Sequence, residues 1–290
     1  MCFVILGIVI CVAPTAHAAN YTFIPIEAPD ASPTHAFGIN NSSNIVGIIG
    51  QHGFLDIKGT FTWIDFPGAS QTQPYGINDF NNIVGVYLDA DWHGYGFLYD
   101  GGNFTPINYP AASETYALGI NNSNHIVGYY ADTTLDPRGF IYAGGIFTSI
   151  NYPDASQTLA FGINNSGSIV GYYRDATGHT HGFLYEGGTF SSIDFPGASE
   201  TYAVGINNSG DLVGWYALTL HGPGHGFLYS GGSFITLDVH GASQTIANGI
   251  TERMVFFIYF SVALVDVNSH QPAAGVHVKF PEIAAFHFIR

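Results

Sequence analysis

Residues 201–243 read TYAVGINNSGDLVGWYALTLHGPGHGFLYSGGSFITLDVHGAS, and this stretch decides the fold because most of the chain is made of copies of it. Its Gly-Ile-Asn recurs with the glycine at Gly38, Gly76, Gly119, Gly162 and Gly205, and a degenerate Gly249-Ile250-Thr251 follows. The spacings are 38, 43, 43, 43 and 44 residues. A fixed period in this range marks a repeat architecture and takes precedence over any single motif.

Four segments in each unit are rich in Ile, Val, Phe and Tyr and bounded by turn residues, which predicts strands. In the quoted copy these strands, a to d, fall near residues 202–206, 212–216, 226–229 and 234–239. Asn207-Asn208-Ser209-Gly210 supplies the a–b turn and Gly231-Gly232 the c–d turn, with residue types that accept a positive φ. No convincing helical period occurs between Asn20 and Ile250. A unit of this size lies below the roughly 70–80 residues at which one core suffices, so it must bury its faces on its neighbours.

Four antiparallel strands per repeat is the blade pattern of a β-propeller, so the expected fold is all-β. Small residues on strand a, such as Ala203 and Gly205, suit the crowded axis, and Phe and Tyr on strands b to d suit the wider outer wedges. Residues 21–32 (YTFIPIEAPDAS) match strand d, and residues 246–251 begin a further strand a. The expectation is therefore six blades, the last shared between the termini. Five blades plus a tail, and an open array or solenoid, are the alternatives. After Thr251 the repeat is lost, so residues 251–290 read as a diverged sixth blade or a frame-shifted segment.

Residues 1–18 read as a secretory signal: an apolar stretch from Cys2 to Ala13, then Ala16-His17-Ala18 as the cleavage pattern. No Lys or Arg precedes it. Cleavage would remove Cys2 and Cys11, the two cysteines of the chain, and with them disulfides, thiolate metal sites and cysteine nucleophiles. The domain so defined is residues 19–250, exported and extracellular. A net charge of −15 with six Lys and Arg argues against nucleic acid and anionic membrane partners.

The motifs together resemble the bacterial extracellular repeat, HAF, family. The resemblance rests on His35-Ala36-Phe37, on the H-G-F forms at His52, His181 and His225, and on the GIN-N-S-G, I-V-G-Y-Y and F-P-G-A-S segments. It covers about residues 21–250. Unit 1 departs, with a shorter b–c loop and Asp56 and Lys58 where others have Tyr and Gly, and the last 40 residues depart entirely. The resemblance implies an exported protein and brings no catalytic motif.

Function is sought on the face that carries the d–a and b–c connections, near the axis or between blades, because the b–c loops vary among copies. The candidate ligand-binding residues are Asp89, Asp91, Trp92, His93, Asp132, Asp136, Arg138, Asp175, His179, His181, His221 and His225. His52, His181 and His225 share one position in different units, so they read as polar residues opening strand c and not as zinc ligands. The loop aspartates lack the D-x-D-x-D-G series of a Ca²⁺ loop. Asp65, Asp194 and Asp238 recur at one strand-d site, which reads as blade architecture and not as a glycosidase carboxylate pair. G-x-S-x-G, H-E-x-x-H and phosphate-binding glycine loops are absent.

The repeated Asn40, Asn78, Asn121, Asn164 and Asn207 read as Asx turns closing the a–b hairpin, in preference to a polar ring. The expected function is a secreted, non-enzymatic module that binds extracellular glycan or protein, with no cofactor or metal. A carbohydrate-active hydrolase or lyase on the same scaffold and a structural envelope or matrix protein are the rival classes.

Overall fold

A computed structural model of the chain describes residues 34–132, 136–238 and 242–252. It also describes, as strands, Cys2–Ile5, Ile8–Cys11, Thr22–Pro25, Met254–Phe260 and Ile283–His287. The described residues contain strands and turns and no helix. Unit 1 has strands Thr34–Ile39, Ile45–Ile49, His52–Ile57 and Thr60–Ile64, paired antiparallel in chain order. Units 2 to 5 repeat this plan over residues 71–107, 114–150, 157–193 and 200–237. In unit 5 the strands run Glu200–Ile206, Leu212–Ala217, His225–Ser230 and Ser233–Leu237. One parallel bridge, Thr180 to Glu200, joins units 4 and 5.

The last sheet draws on both ends of the chain. Gln244–Ile250 pairs with Met254–Phe260, which pairs with Ile283–His287, which pairs with Thr22–Pro25 on the outside. The orphan d-type segment thus completes a sheet begun by the orphan a-type segment. Met254–Phe260 takes the second position although the V-G-x-Y motif is gone, since an apolar run needs only backbone partners to extend a sheet. Cys2–Ile5 and Ile8–Cys11 pair as a separate hairpin, and the expected cleavage site at residues 16–18 lies outside the described residues.

Packing between units follows from the repeated motif. A phenylalanine of strand c is fully buried in each of the first five units: Phe54, Phe97, Phe140, Phe183 and Phe227. The aromatic residue of the F-P-G-A-S segment crosses to the next unit. Phe66 stacks on Tyr87, Tyr109 on Tyr130, Tyr152 on Tyr173 and Phe195 on Tyr216, with ring centroids 3.6–3.7 Å apart. The backbone N–H of each crossing residue donates to a threonine hydroxyl at the start of the next strand a, as from Phe66 to Thr72 at 2.9 Å. The strand-b glycine is required by close approach: a Cβ on Gly128 would be driven into the carbonyl oxygen of Tyr116.

The asparagines do more than close turns. Asn40 Oδ1 accepts from the N–H groups of Ser42 and Asn44, both at 3.0 Å, which is the expected local turn. Its Nδ2 then donates to the carbonyl of Asn78 in the next unit at 3.0 Å. The same step runs from Asn78 to Asn121, Asn121 to Asn164, Asn164 to Asn207 and Asn207 to Thr251, at 3.1–3.3 Å. Turn and inter-unit clamp are therefore one side chain, which spends both halves of its amide.

A second series lies one residue on. The N–H of Asn41 donates to Asp79, that of Asp79 to Asn122, of Asn122 to Asn165, of Asn165 to Asn208, of Asn208 to Glu252, and of Glu252 back to Asn41, at 2.8–3.2 Å. The last bond spans 211 residues of sequence and returns the series to its start. Within it, burial pushes the Asp79 carboxyl up, but hydrogen bonds from Asn122 and Asn41 outweigh this and hold it below the usual range. Asp79 therefore contributes stability above the ordinary carboxylate pKa that is lost as acid protonates it.

Replacing Asn121 by Ala should cost about 2 kcal/mol, since it strands buried partners on two units. Asp79→Asn should change stability little near neutral pH, because asparagine occupies that place in other units, and should flatten the loss of stability in acid. Urea unfolding of the two variants across pH checks both.

Candidate functional site

The a–b and c–d turns end on one face, and the d–a and b–c connections on the other. Along the axis between them the inner strands enclose a cavity of about 270 Å³. It is lined by Phe37, Tyr75, Leu118, Phe161, Val204 and Asn248, together with the glycines and isoleucines that follow them. At the turn face a second hollow of about 80 Å³ is rimmed by the asparagine series, Asp79 and Glu252.

On the opposite face the loop candidates are dispersed. Asp89 closes its own loop by accepting from the N–H groups of Asp91 and His93, and Trp92 stands exposed at a positive φ. Asp132 and Asp136 flank residues 133–135, which lie outside the described residues, and Arg138 opens strand c of unit 3 with its side chain exposed.

In unit 4 the structure brings three candidates together. Asp175 Oδ1 accepts from Thr177 and from the N–H of His179, and its Oδ2 faces His181 Nε2 at 3.4 Å. These hydrogen bonds, led by that of the Thr177 hydroxyl, hold its carboxyl well below the usual range. In unit 5 the N–H of His221 donates to Glu200 at 2.9 Å. His52, His181 and His225 each meet the strand-d aspartate of their own unit, Asp65, Asp194 and Asp238, at 2.9–3.0 Å. Each pair ties strand c to strand d in one unit. Among the described residues no group of three or more His, Cys, Asp or Glu is placed to hold a metal ion.

What the loops do not supply, the inner strands do. Toward the b–c face, side chains of strands a and b form a chain of aromatic rings. Phe37 stacks on Tyr75 at 4.7 Å, Tyr116 on Tyr129 at 4.6 Å and Tyr202 on Trp215 at 3.8 Å. Tyr172 meets Phe161 at 5.4 Å and Tyr202 edge-on at 4.8 Å. The polar groups among them are Gln73 on the Tyr75 hydroxyl, Glu114 on that of Tyr116, Glu200 on that of Tyr202, and Arg174. We term this arrangement the collar.

Its rings are partly buried, and burial raises their phenols. Tyr75 is pushed up to about 12 by burial and then by Tyr116, and Tyr172 to about 12 by burial and then by Tyr202. Burial raises Tyr129 as well, with Tyr116 adding to it. The collar hydroxyls are therefore hydrogen-bond donors throughout the physiological range.

These positions break the symmetry of the repeat. One place on strand a holds His35, Gln73, Tyr116, Leu159 and Tyr202 in turn, and its partner on strand b holds Ile48, Val86, Tyr129, Tyr172 and Trp215. The wedge-filling phenylalanines do not vary at all. Sequence reasoning points to the b–c loops and does not single out the collar, because Tyr129, Tyr172 and Trp215 have the alternation of ordinary strand residues. The signal that marks them is their failure to repeat.

No family model and no curated protein matches the chain. Solved structures do. A putative TolB from Agrobacterium tumefaciens is 12% identical with a TM-score of 0.56, over 94% of this chain and 91% of that one. AofleA from Arthrobotrys oligospora is 12% identical with a TM-score of 0.51, over 86% and 85%. The fucose-specific lectin from Aleuria aurantia is 12% identical with a TM-score of 0.50, over 80% and 89%. That lectin is described as a six-bladed β-propeller. At such identities the likeness speaks to fold: an all-β chain of four-stranded antiparallel sheets with propeller neighbours.

A phenol whose pKa is raised in the folded state adds stability that is complete below pH 10 and is lost as pH climbs through the folded value. Tyrosinate absorbance should accordingly develop in two stages, with Tyr75 and Tyr172 ionising near pH 12 after the exposed tyrosines. Tyr172→Phe should remove part of the late stage. A single transition near pH 10 would show that these phenols are not buried.

Proposed function

We propose that this chain is an exported six-bladed propeller of the HAF-repeat kind that binds extracellular glycan without cleaving it. The closing of the Asn41 to Glu252 hydrogen-bond series on itself supports the blade count. So does the sharing of the last sheet between the two ends of the chain. The apolar segment before Ala16-His17-Ala18 supports export.

The observation that carries the binding reading is the collar. Rings such as Tyr172, Tyr202 and Trp215 present apolar faces beside phenol donors and carboxamide or carboxylate acceptors, on one side of a rigid scaffold. A sugar offers the complement: patches of C–H on its faces and hydroxyls around its edge. Apolar and aromatic surface with a few placed polar groups is the usual composition of a ligand site. The non-catalytic reading rests on how the nearby carboxylates are used. Glu200 is only 2% exposed and holds the His221 loop, and Asp89 and Asp175 close turns.

A glycan array probed with the full-length chain, run beside a polysaccharide-cleavage assay, tests this. The expected result is saturable binding with no product, weakened by at least about tenfold (~1.4 kcal/mol) in Trp215→Ala and Tyr172→Ala proteins that unfold like the parent. Product formation abolished by one Asp or Glu substitution would overturn the non-catalytic reading. Binding untouched by both variants would remove the collar from it.

A further inference from the structure

Resting on the glycan reading above, we propose that the collar recognises an acidic sugar, a uronate, and that Arg174 receives its carboxylate. Arg174 ends strand b of unit 4, Ile169–Arg174, at the b–c face. It follows Tyr172 by two residues in that strand, so the two side chains leave the same face, and its strand partner Thr180 bridges Glu200, two residues before Tyr202. Its charge opposes the rise that burial gives both phenols. Its position therefore belongs to the same group of rings.

Charge distribution makes this residue unusual. The whole chain has six Lys and Arg against 21 Asp and Glu. Among the described residues the cations are Lys58, in a c–d turn, Arg138, at the start of a third strand, and Arg174. Arg174 alone of these stands on the inner pair of strands. It forms no ion pair with any described residue, although carboxylates are close by in sequence and space.

Those carboxylates have other partners. Glu200 accepts from the N–H of His221 at 2.9 Å and faces the Tyr202 hydroxyl at 3.4 Å. Asp175, the next residue, accepts from Thr177 and His179 and faces His181. A partly buried arginine on the same strand face as Tyr172, in no ion pair with a described residue, suits a planar carboxylate that arrives with a ligand. Its fork can take both oxygens at once, and it loses less hydration than an ammonium would. The rings beside it would hold the body of the sugar.

The site is single. The residues in register with Arg174 in other units are Leu88, Ala131, Ala217 and Phe260, none of which bears a charge. One uronate per chain follows, in contrast to one ligand per blade.

Calorimetric titration of the full-length chain with an oligouronate and with its carboxyl-reduced, neutral counterpart tests the proposal. We expect a stoichiometry of one, a preference of about tenfold or more for the acidic ligand, and a loss of that preference as salt is raised. Arg174→Gln should bring the oligouronate down to the affinity of the neutral sugar, and Arg174→Lys should recover part of the difference. Equal affinity for both sugars, unmoved by Arg174→Gln, would overturn the assignment of Arg174 and leave the glycan reading standing. Binding of neither sugar, with capture of a peptide through its C-terminal carboxylate, would overturn the glycan reading and the uronate with it.

Discussion

The structure depends on one constraint: a four-stranded unit of this size cannot bury both of its faces by itself. Every repeated motif answers that constraint by reaching into the next copy. The crossing aromatic of F-P-G-A-S stacks on the neighbour's strand-b tyrosine, as Tyr109 does on Tyr130. The strand-a asparagine clamps the neighbour's turn carbonyl, as Asn121 does on Asn164. The apolar contacts supply most of the free energy, since they remove large ring surfaces from water. The amide bonds contribute less, but they fix the register between units, because a displaced neighbour would leave buried polar groups without partners.

A series of units that each lean on the next has exposed faces at its ends unless it returns to its start. Here the return is made twice. Glu252 donates its backbone N–H to Asn41, and the outer strand of the last sheet comes from Thr22–Pro25. The first sheet and the last are also neighbours through their inner strands, Thr34–Ile39 and Gln244–Ile250. Thr251 stands where the other units carry the clamping asparagine, and beside it the bond from Glu252 to Asn41 continues the second series in the same direction as its other steps.

Much of this was legible from residues alone, and the exceptions are instructive. The four-strand unit follows from alternation and turn chemistry, and the observed strands differ from the expected ones by one or two residues. For the asparagines, sequence set a local turn against a polar ring as alternatives, while the structure uses Oδ1 for the first and Nδ2 for contact between units. No spacing rule reveals that, because the partner is a backbone carbonyl whose position depends on packing. The collar stayed hidden for a related reason. Loop variation points to a face, whereas Tyr129, Tyr172 and Trp215 sit in regular strands and gain meaning only when the inner strands are brought side by side. Arg174 was passed over because a strand-terminal arginine has no distinguishing pattern until its missing partner is seen.

Small-angle scattering of the chain in solution tests the central claim most directly, since mutual burial around a common centre requires a compact particle. The account predicts a monomer with a radius of gyration of about 19 Å, the value for a compact domain of this length. A markedly larger radius with the distance distribution of an elongated rod would mean that the units stack in a line, and would contradict the shared centre on which the collar depends.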